Sequence, residues 1–143
     1  MDIEKRKTKQ ILQDNLNREA PKDMQQLVTI LHDVRSMYNV GAAFRNVDAF
    51  GIKKMILTGF TPMPPRPEIT KTAIGAEKYV EWEQSTDIVD QLAALKDDGY
   101  IAIGIEQTNS SELLTDYQPA AGKKICLVFG NEVTGLDEEV IPL

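Results

Sequence analysis

Cysteine, histidine and tryptophan each occur once in this chain of 143 residues, and aromatic residues make up 6% of it. A single cysteine, Cys126, excludes a disulfide within the chain; set in the apolar segment Ile125–Phe129, it reads as a small core residue. One histidine and one cysteine cannot build a zinc site of the usual composition, so no metal is expected. His32 follows an apolar segment directly and reads as a structural or surface residue rather than a base. No apolar run approaches the length of a membrane span. No apolar stretch follows the charged start Met1-Asp2-Ile3-Glu4-Lys5-Arg6-Lys7, so neither a bilayer partner nor a secretory leader is expected, and a cytoplasmic location is the simplest reading. Several catalytic signatures are also missing. No GxGxxG follows a strand-like segment, and no GxSxG elbow is present. Gly130 and Gly135 have the spacing of phosphate-loop glycines, but Leu136 and Asp137 stand where Lys and Ser/Thr are required. Dinucleotide binding, serine hydrolysis and triphosphate hydrolysis are thereby disfavoured.

What remains is ordinary for one globular domain: 42% hydrophobic and 27% charged residues. The net charge of −6 argues against a nucleic-acid partner, but its distribution is uneven. Residues 1–26 carry six basic and five acidic side chains, residues 27–78 seven and four, and residues 79–143 three and thirteen. A phosphate-facing surface can therefore be built in the middle segment, from Arg35, Arg45, Arg66 and Lys71.

Periodicity sets an order of elements. The segment from Ile3 to about Arg18 is helix-favouring, with Ile11, Leu12 and Leu16 as a thin apolar stripe, and residues 1–24 form an arm to a domain at 25–143. This arm packs on the body, packs on a partner or stays loose. Strands are expected at Leu27–Leu31, Met55–Thr58, Tyr79–Trp82, Tyr100–Ile105 and Lys124–Phe129. Helices are expected from an Asn39 cap to Phe50 with Gly51 after it, over Ile69–Gly75, from a Thr86 cap to Lys96, and from Asp137 onward. Leu113 and Leu114 fall in a loop or short turn. Alternation of this kind implies an α/β fold with a mostly parallel sheet flanked by helices. Val40, Ala43, Phe44, Val47 and Phe50 mark the buried face of the helix after Asn39, and Arg45 lies roughly opposite it.

Two places suggest chemistry. The loop Gly130-Asn131-Glu132-Val133-Thr134-Gly135-Leu136 leaves the carboxyl end of a strand, where open α/β sheets bind ligands. Gly130 allows close backbone approach and Gly135 a positive φ, with Glu132 held between them; a plain strand-to-helix turn with a solvated Glu fits the same residues. Glu106, just after the Tyr100–Ile105 strand, would share a pocket with this loop if the two strands are neighbours. Such a pocket offers an apolar wall from Ile105 and acidic groups for a cationic ligand; otherwise Ile105 is core and Glu106 surface.

The order Asn39-x-Gly41-x-x-x-Arg45, Asp48-Ala49-Phe50-Gly51, strand, proline-rich loop, Gly75-Ala76, strand, Phe129-Gly130-Asn131-Glu132-x-x-Gly135-Leu136 resembles the SpoU/TrmH family of RNA 2'-O-methyltransferases over about residues 27–140. The resemblance implies a SPOUT-like α/β fold with a deep trefoil knot at its C-terminal end. It also implies a homodimer, S-adenosylmethionine as cofactor, and a ribose 2'-hydroxyl of tRNA or rRNA as methyl acceptor. By the same resemblance Arg45 is the key catalytic residue, Asn39 organises Arg45 or an RNA phosphate, and Glu132 supports the active site. Ile105 and Gly130 match positions lining the cofactor site, and Glu106, Asn131 and Gly135 complete the expected set. The family's third motif has no counterpart here, because Ile141-Pro142-Leu143 follows Gly135-Leu136 too closely. The chain is therefore expected to stop before the knot-forming segment, to bind the cofactor weakly and to transfer no methyl group in this form. Two rivals stay open: a non-catalytic RNA-binding or assembly module that keeps the fold, and a small-molecule-binding α/β domain.

Overall fold

The computed structural model describes residues 4–142. Its elements are α1 (Thr8–Leu16), β1 (Leu27–His32), α2 (Met37–Phe50), β2 (Lys54–Thr58), α3 (Pro67–Ala73), β3 (Trp82–Ser85), α4 (Ile88–Asp97), β4 (Tyr100–Ile105) and β5 (Lys124–Phe129). The strands form one sheet in the order β3-β2-β1-β5-β4, with every neighbouring pair parallel. The expected α/β architecture is the one adopted. β1 lies at the centre and is buried along almost its whole length, as a continuous apolar run in a parallel sheet requires.

Two cores cover the two faces. On one, Val28, Ile30, Ile56, Cys126 and Val128 pack against Ile88 and Leu92 of α4 and against Leu136 and Val140. On the other, Leu31, Met55 and Leu57 pack against Val40, Phe44 and Val47 of α2 and Ile69 and Ala73 of α3. The Trp82 ring meets Phe44 edge-on at 6.1 Å. Cys126 is fully buried, and burial pushes its thiol up to about 12, so it is an inert core residue. α2 and α3 approach closely at Gly41, where a Cβ would lie 2.3 Å from the Ile69 carbonyl oxygen. The motif glycine is thus a packing requirement, buried beneath α3, rather than empty space beside Arg45.

Several expected boundaries move. Asn39 is not the cap of α2: Ser36 is, its side chain accepting from Asn39 N–H at 3.2 Å. Both are good capping residues, and the one three positions earlier leaves the Asn39 side chain free for another partner. Gly51 ends the helix at φ 69, as expected. Asp87, not Thr86, caps α4, because its carboxylate reaches both Val89 and Asp90 N–H. β3 begins where the Tyr79–Trp82 strand was expected to end, residues Ala76–Lys78 taking a 3-10 turn first. The residues after Asp137 form turns rather than a helix, with Val140 and Ile141 N–H both donating to the Asp137 carbonyl. In the arm, Ile11 and Leu16 are exposed, while Ile3 and the Leu12 side chain lie outside what the structure describes. Leu113 and Leu114 are exposed within the turn-rich crossover from β4 to β5. Among the described residues no helix is long and apolar enough to cross a membrane.

Candidate functional site

β1 and β5 are neighbours at the middle of the sheet, and the chain leaves β1 into α2 on one face and β5 toward Leu136 and Val140 on the other, so a crevice opens between their carboxyl ends, where open parallel sheets bind ligands. The neighbour relation left open by the sequence is present: β4 and β5 pair in parallel with Ile105 opposite Phe129. Beyond their ends Ile105, Glu106, Gly130, Asn131, Glu132 and Gly135 line one crevice of about 300 Å³, together with Phe129.

The loop in this crevice is closed by its own backbone. Asn131 and Gly135 exchange N–H···O bonds at 3.0 and 2.9 Å, and Asn131 Oδ1 accepts from Val133 and Thr134 N–H. Asn131 Nδ2 donates to the Asp33 carbonyl at 2.8 Å, tying the loop to the end of β1. Asn131 is therefore engaged in structure through both side chain and backbone, and it shapes the loop. Gly130 is needed because the Gly135 carbonyl carbon lies 2.5 Å from where its Cβ would be. That close approach is the loop closing on itself, not an opening for a ligand. Glu106 clasps the loop from β4, its carboxylate accepting from Leu136 and Gln107 N–H at 2.8 Å each. Hydrogen bonds from Gln107 and then Leu136 hold that carboxyl below the usual range against a smaller opposing effect of burial.

Glu132 makes the second tie. Its carboxylate accepts from Arg35 N–H at 2.9 Å, Ser36 N–H at 3.0 Å and Asn39 Nδ2 at 3.0 Å. These donors cluster at the entrance of α2, where unpaired N–H groups and the helix dipole favour an anion. Partial burial acts to raise the Glu132 pKa, but the hydrogen bonds from Arg35, Ser36, its own N–H and Asn39 outweigh it and hold the carboxyl at about 2. The group is ionised and saturated with donors at neutral pH, which excludes it as a general base there. Its work is positional. An acceptor-only carboxylate turns the Asn39 NH2 inward and the Asn39 Oδ1 outward.

Arg45 lies elsewhere. Six residues further along α2, it stands roughly 9 Å up the axis and about 120° around it from Asn39. It is exposed and lines a separate cavity of about 400 Å³ with Leu16, Asp48, Ile74, Gly75 and Tyr79. Among the described residues no hydrogen bond or ion pair engages its guanidinium. One chain thus brings Asn39, Glu132 and the crevice residues together and leaves Arg45 apart. Arg35, Arg66 and Lys71 are all exposed; Lys71 stands 5.7 Å over the Tyr38 ring, and Arg66 precedes α3. Sequence reasoning missed Ser36 and the Arg35 and Ser36 amides that receive Glu132. Ser36, three residues before Asn39, was the available signal.

Residues 26–143 match the model of the SpoU rRNA Methylase family. A TrmH family protein of Staphylococcus saprophyticus is 29% identical over 114 residues, which cover 79% of this chain and 44% of that protein. The 23S rRNA (guanosine-2'-O-)-methyltransferase RlmB of Vibrio vulnificus is 26% identical over 128 residues, 90% of this chain and 51% of that protein. The chain thus spans about half the length of the curated relatives it matches. Among solved structures, the A. aeolicus TrmH/SpoU tRNA modifying enzyme superposes with a TM-score of 0.73 at 19% identity, covering 94% of this chain and 66% of that one. The AdoMet-bound rRNA methyltransferase of Sinorhizobium meliloti gives 0.69 at 22% identity, covering 81% of this chain and 43% of that one. At these identities both speak for the fold.

Proposed function

From the premise that this chain belongs to the SpoU rRNA methylase family, we propose that it serves S-adenosylmethionine-dependent methyl transfer to a ribose 2'-hydroxyl of tRNA or rRNA. The carrying observation is the Asn39–Glu132 contact at 3.0 Å, which fastens the α2 entrance to the crevice beyond β4 and β5. Residues 25–143 are the transfer domain and residues 1–24 an arm, in a cytoplasmic protein.

The crevice suits the cofactor. Ile105 and Phe129 supply apolar wall, the loop supplies backbone groups, and Glu106 and Glu132 place two carboxylates where a sulfonium is to be held. When bound, S-adenosylmethionine supplies an already activated methyl group, so alignment with the acceptor oxygen accounts for much of the rate. Ile105, Gly130 and Gly135 shape the wall and the turn, and Glu106 and Asn131 fix the loop. Glu132 orients Asn39, whose outward Oδ1 accepts from the acceptor ribose or from Arg45. Arg45 clamps a phosphate and stabilises the developing 2'-alkoxide. It does not take the proton, since a guanidinium with a pKa above about 12 keeps its own; the hydroxyl proton leaves to bulk water as the methyl passes from sulfur to oxygen. No metal enters this step.

Because Arg45 does not line the crevice of its own chain, the reading requires a homodimer in which one copy presents Arg45 near the other's crevice. Arg35, Arg66 and Lys71 hold the RNA backbone. The test is methyl transfer from labelled cofactor to RNA by the full-length protein, the third family motif included, with nucleoside analysis of the product. A 2'-O-methylated nucleoside supports the reading, and methyl on a base overturns it. The same separation of Arg45 favours a second reading, an RNA-binding or assembly module without transfer chemistry. RNA binding with no methyl transfer at saturating cofactor selects it.

A further inference from the structure

Behind the Glu132 tie, three side chains of ligand type converge at the carboxyl end of β1. His32 closes the strand, Asp33 follows it, and Asp137 arrives from the turn after Leu136; one donor atom from each lies within 4.8 Å of the others. The His32 Nε2 is 3.6 Å from Asp33 Oδ2 and 3.5 Å from Asp137 Oδ2. A direct charge-assisted N–H···O bond closes to about 2.7–2.9 Å. Two ligands of a tetrahedral ion, with bonds of about 2.0–2.2 Å, stand about 3.4 Å apart. The two imidazole–carboxylate spacings are close to a tetrahedron's edge.

The surroundings fix each donor atom. The His32 side chain is 8% exposed, and its Nδ1 lies 2.9 Å from Thr58 Oγ1. In the tautomer in which Nδ1–H donates to that hydroxyl, the ring turns its Nε2 lone pair toward the carboxylates. A metal-bound histidine is oriented by such a bond on its other nitrogen. Asp33 is held at φ 53. Its Oδ1 accepts from Phe60 N–H at 2.9 Å and its carbonyl from Asn131 Nδ2 at 2.8 Å, which leaves Oδ2 facing the imidazole. Gly59 makes room for this carboxylate, since a Cβ there would fall 1.8 Å from Asp33 Oδ1. Asp137 is 61% exposed, so the fourth direction opens to solvent. The imidazole Nε2 and the two carboxylates thus face one point, the arrangement of a three-residue cation site.

We propose that His32, Asp33 and Asp137 bind a divalent cation of the zinc class, with water at the fourth position. The ion staples the turn after Leu136 to the end of β1 and so braces the loop that carries Glu132. A histidine–carboxylate set differs from the cysteine-rich composition excluded by the sequence, and only the fold assembles it.

The test is calorimetric titration of Zn(II) into the metal-free chain, with Co(II) visible absorption as the readout of geometry. One equivalent of Zn(II) and a tetrahedral Co(II) spectrum are expected. Affinity should fall more than about 100-fold in Asp137→Asn, beyond the tenfold to 100-fold typical of lost supporting partners, and further in His32→Gln. Asp137 is largely exposed, so its variant folds whether or not His32→Gln does, and melting in chelator checks both. Absence of stoichiometric binding, an octahedral Co(II) spectrum, or affinity unchanged in Asp137→Asn overturns the proposal.

Discussion

Asn39 and Arg45 stand on one helix, six residues apart, in surroundings that differ in kind. Asn39 belongs to a closed arrangement, its amide on Glu132 and Glu132 on two backbone N–H groups. Arg45 belongs to an open one, unengaged beside Ile74 at φ 52 and Gly75, around which nothing lies within 4 Å of a notional Cβ. Groups that only position can be satisfied within a single chain. A group that must meet a changing charge is better left without an internal partner, because every such partner would have to be displaced at the moment of reaction. On the proposed function, Glu132 and Asn39 position and Arg45 acts on the reacting groups.

The most severe way to break this comparison is to remove the open group. Arg45→Ala is expected to lower methyl transfer by about 100-fold or more while leaving the melting temperature unchanged, the loss typical of one transition-state donor. Arg45→Lys should also fail, since a point charge does not replace a planar fork. Steady-state rates beside thermal melts read both. Turnover equal to the native protein's would place the chemistry elsewhere.

Gly41→Ala attacks the platform beneath both residues. The new Cβ would meet the Ile69 carbonyl at 2.3 Å, and backbone cannot swing aside, so α3 must shift. A loss of about 1–3 kcal/mol in unfolding free energy is expected, as for overpacked cores. Chemical denaturation measures it, and a neutral result would show that α2 and α3 tolerate separation.

Glu132→Gln sharpens the other half. Its folded pKa of about 2 lies below the usual value of about 4.3, so its stabilisation is present above the unfolded pKa and lost as pH falls through about 4 toward 2. The native protein should therefore lose melting temperature more steeply across that window than Glu132→Gln. Parallel slopes would mean the tie contributes nothing to stability. The smallest expected effect is on RNA contact. Arg66→Ala and Lys71→Ala should each reduce the salt dependence of RNA binding by about 0.7 in log–log slope per lost single-strand contact. An unchanged slope removes that residue from the phosphate-binding face.

How much of this the sequence carried depends on the kind of interaction. β5 was legible to the residue and β1 to within one, because buried parallel strands are continuous apolar runs; β4, a half-exposed edge strand, was legible to the residue from its apolar run after Gly99. β3 was placed early, since its polar residues Glu83 and Gln84 give no alternation at an edge. Caps slipped by one to three positions where two capping residues compete, as with Ser36 and Asn39 or Thr86 and Asp87. The motif residues were legible as a set, but their partners were not. The meeting of Glu132 with Arg35 and Ser36 N–H spans nearly a hundred positions and uses backbone donors that every residue has. The left-handed backbone of Asp33, and Gly59 opposite it, depend on a crowding that only the folded sheet creates.

The central claim is that Arg45 acts on a methyl transfer whose positioning is done by Glu132 and Asn39. The most direct measurement is single-turnover transfer of labelled methyl to RNA by native, Arg45→Ala and Glu132→Gln full-length proteins, the third family motif included, at saturating cofactor and RNA, with nucleoside analysis. The account predicts a 2'-O-methylated nucleoside from the native protein, a loss of about 100-fold or more in Arg45→Ala, and a smaller loss in Glu132→Gln. A base-methylated product, or an Arg45→Ala rate equal to the native rate, would contradict it.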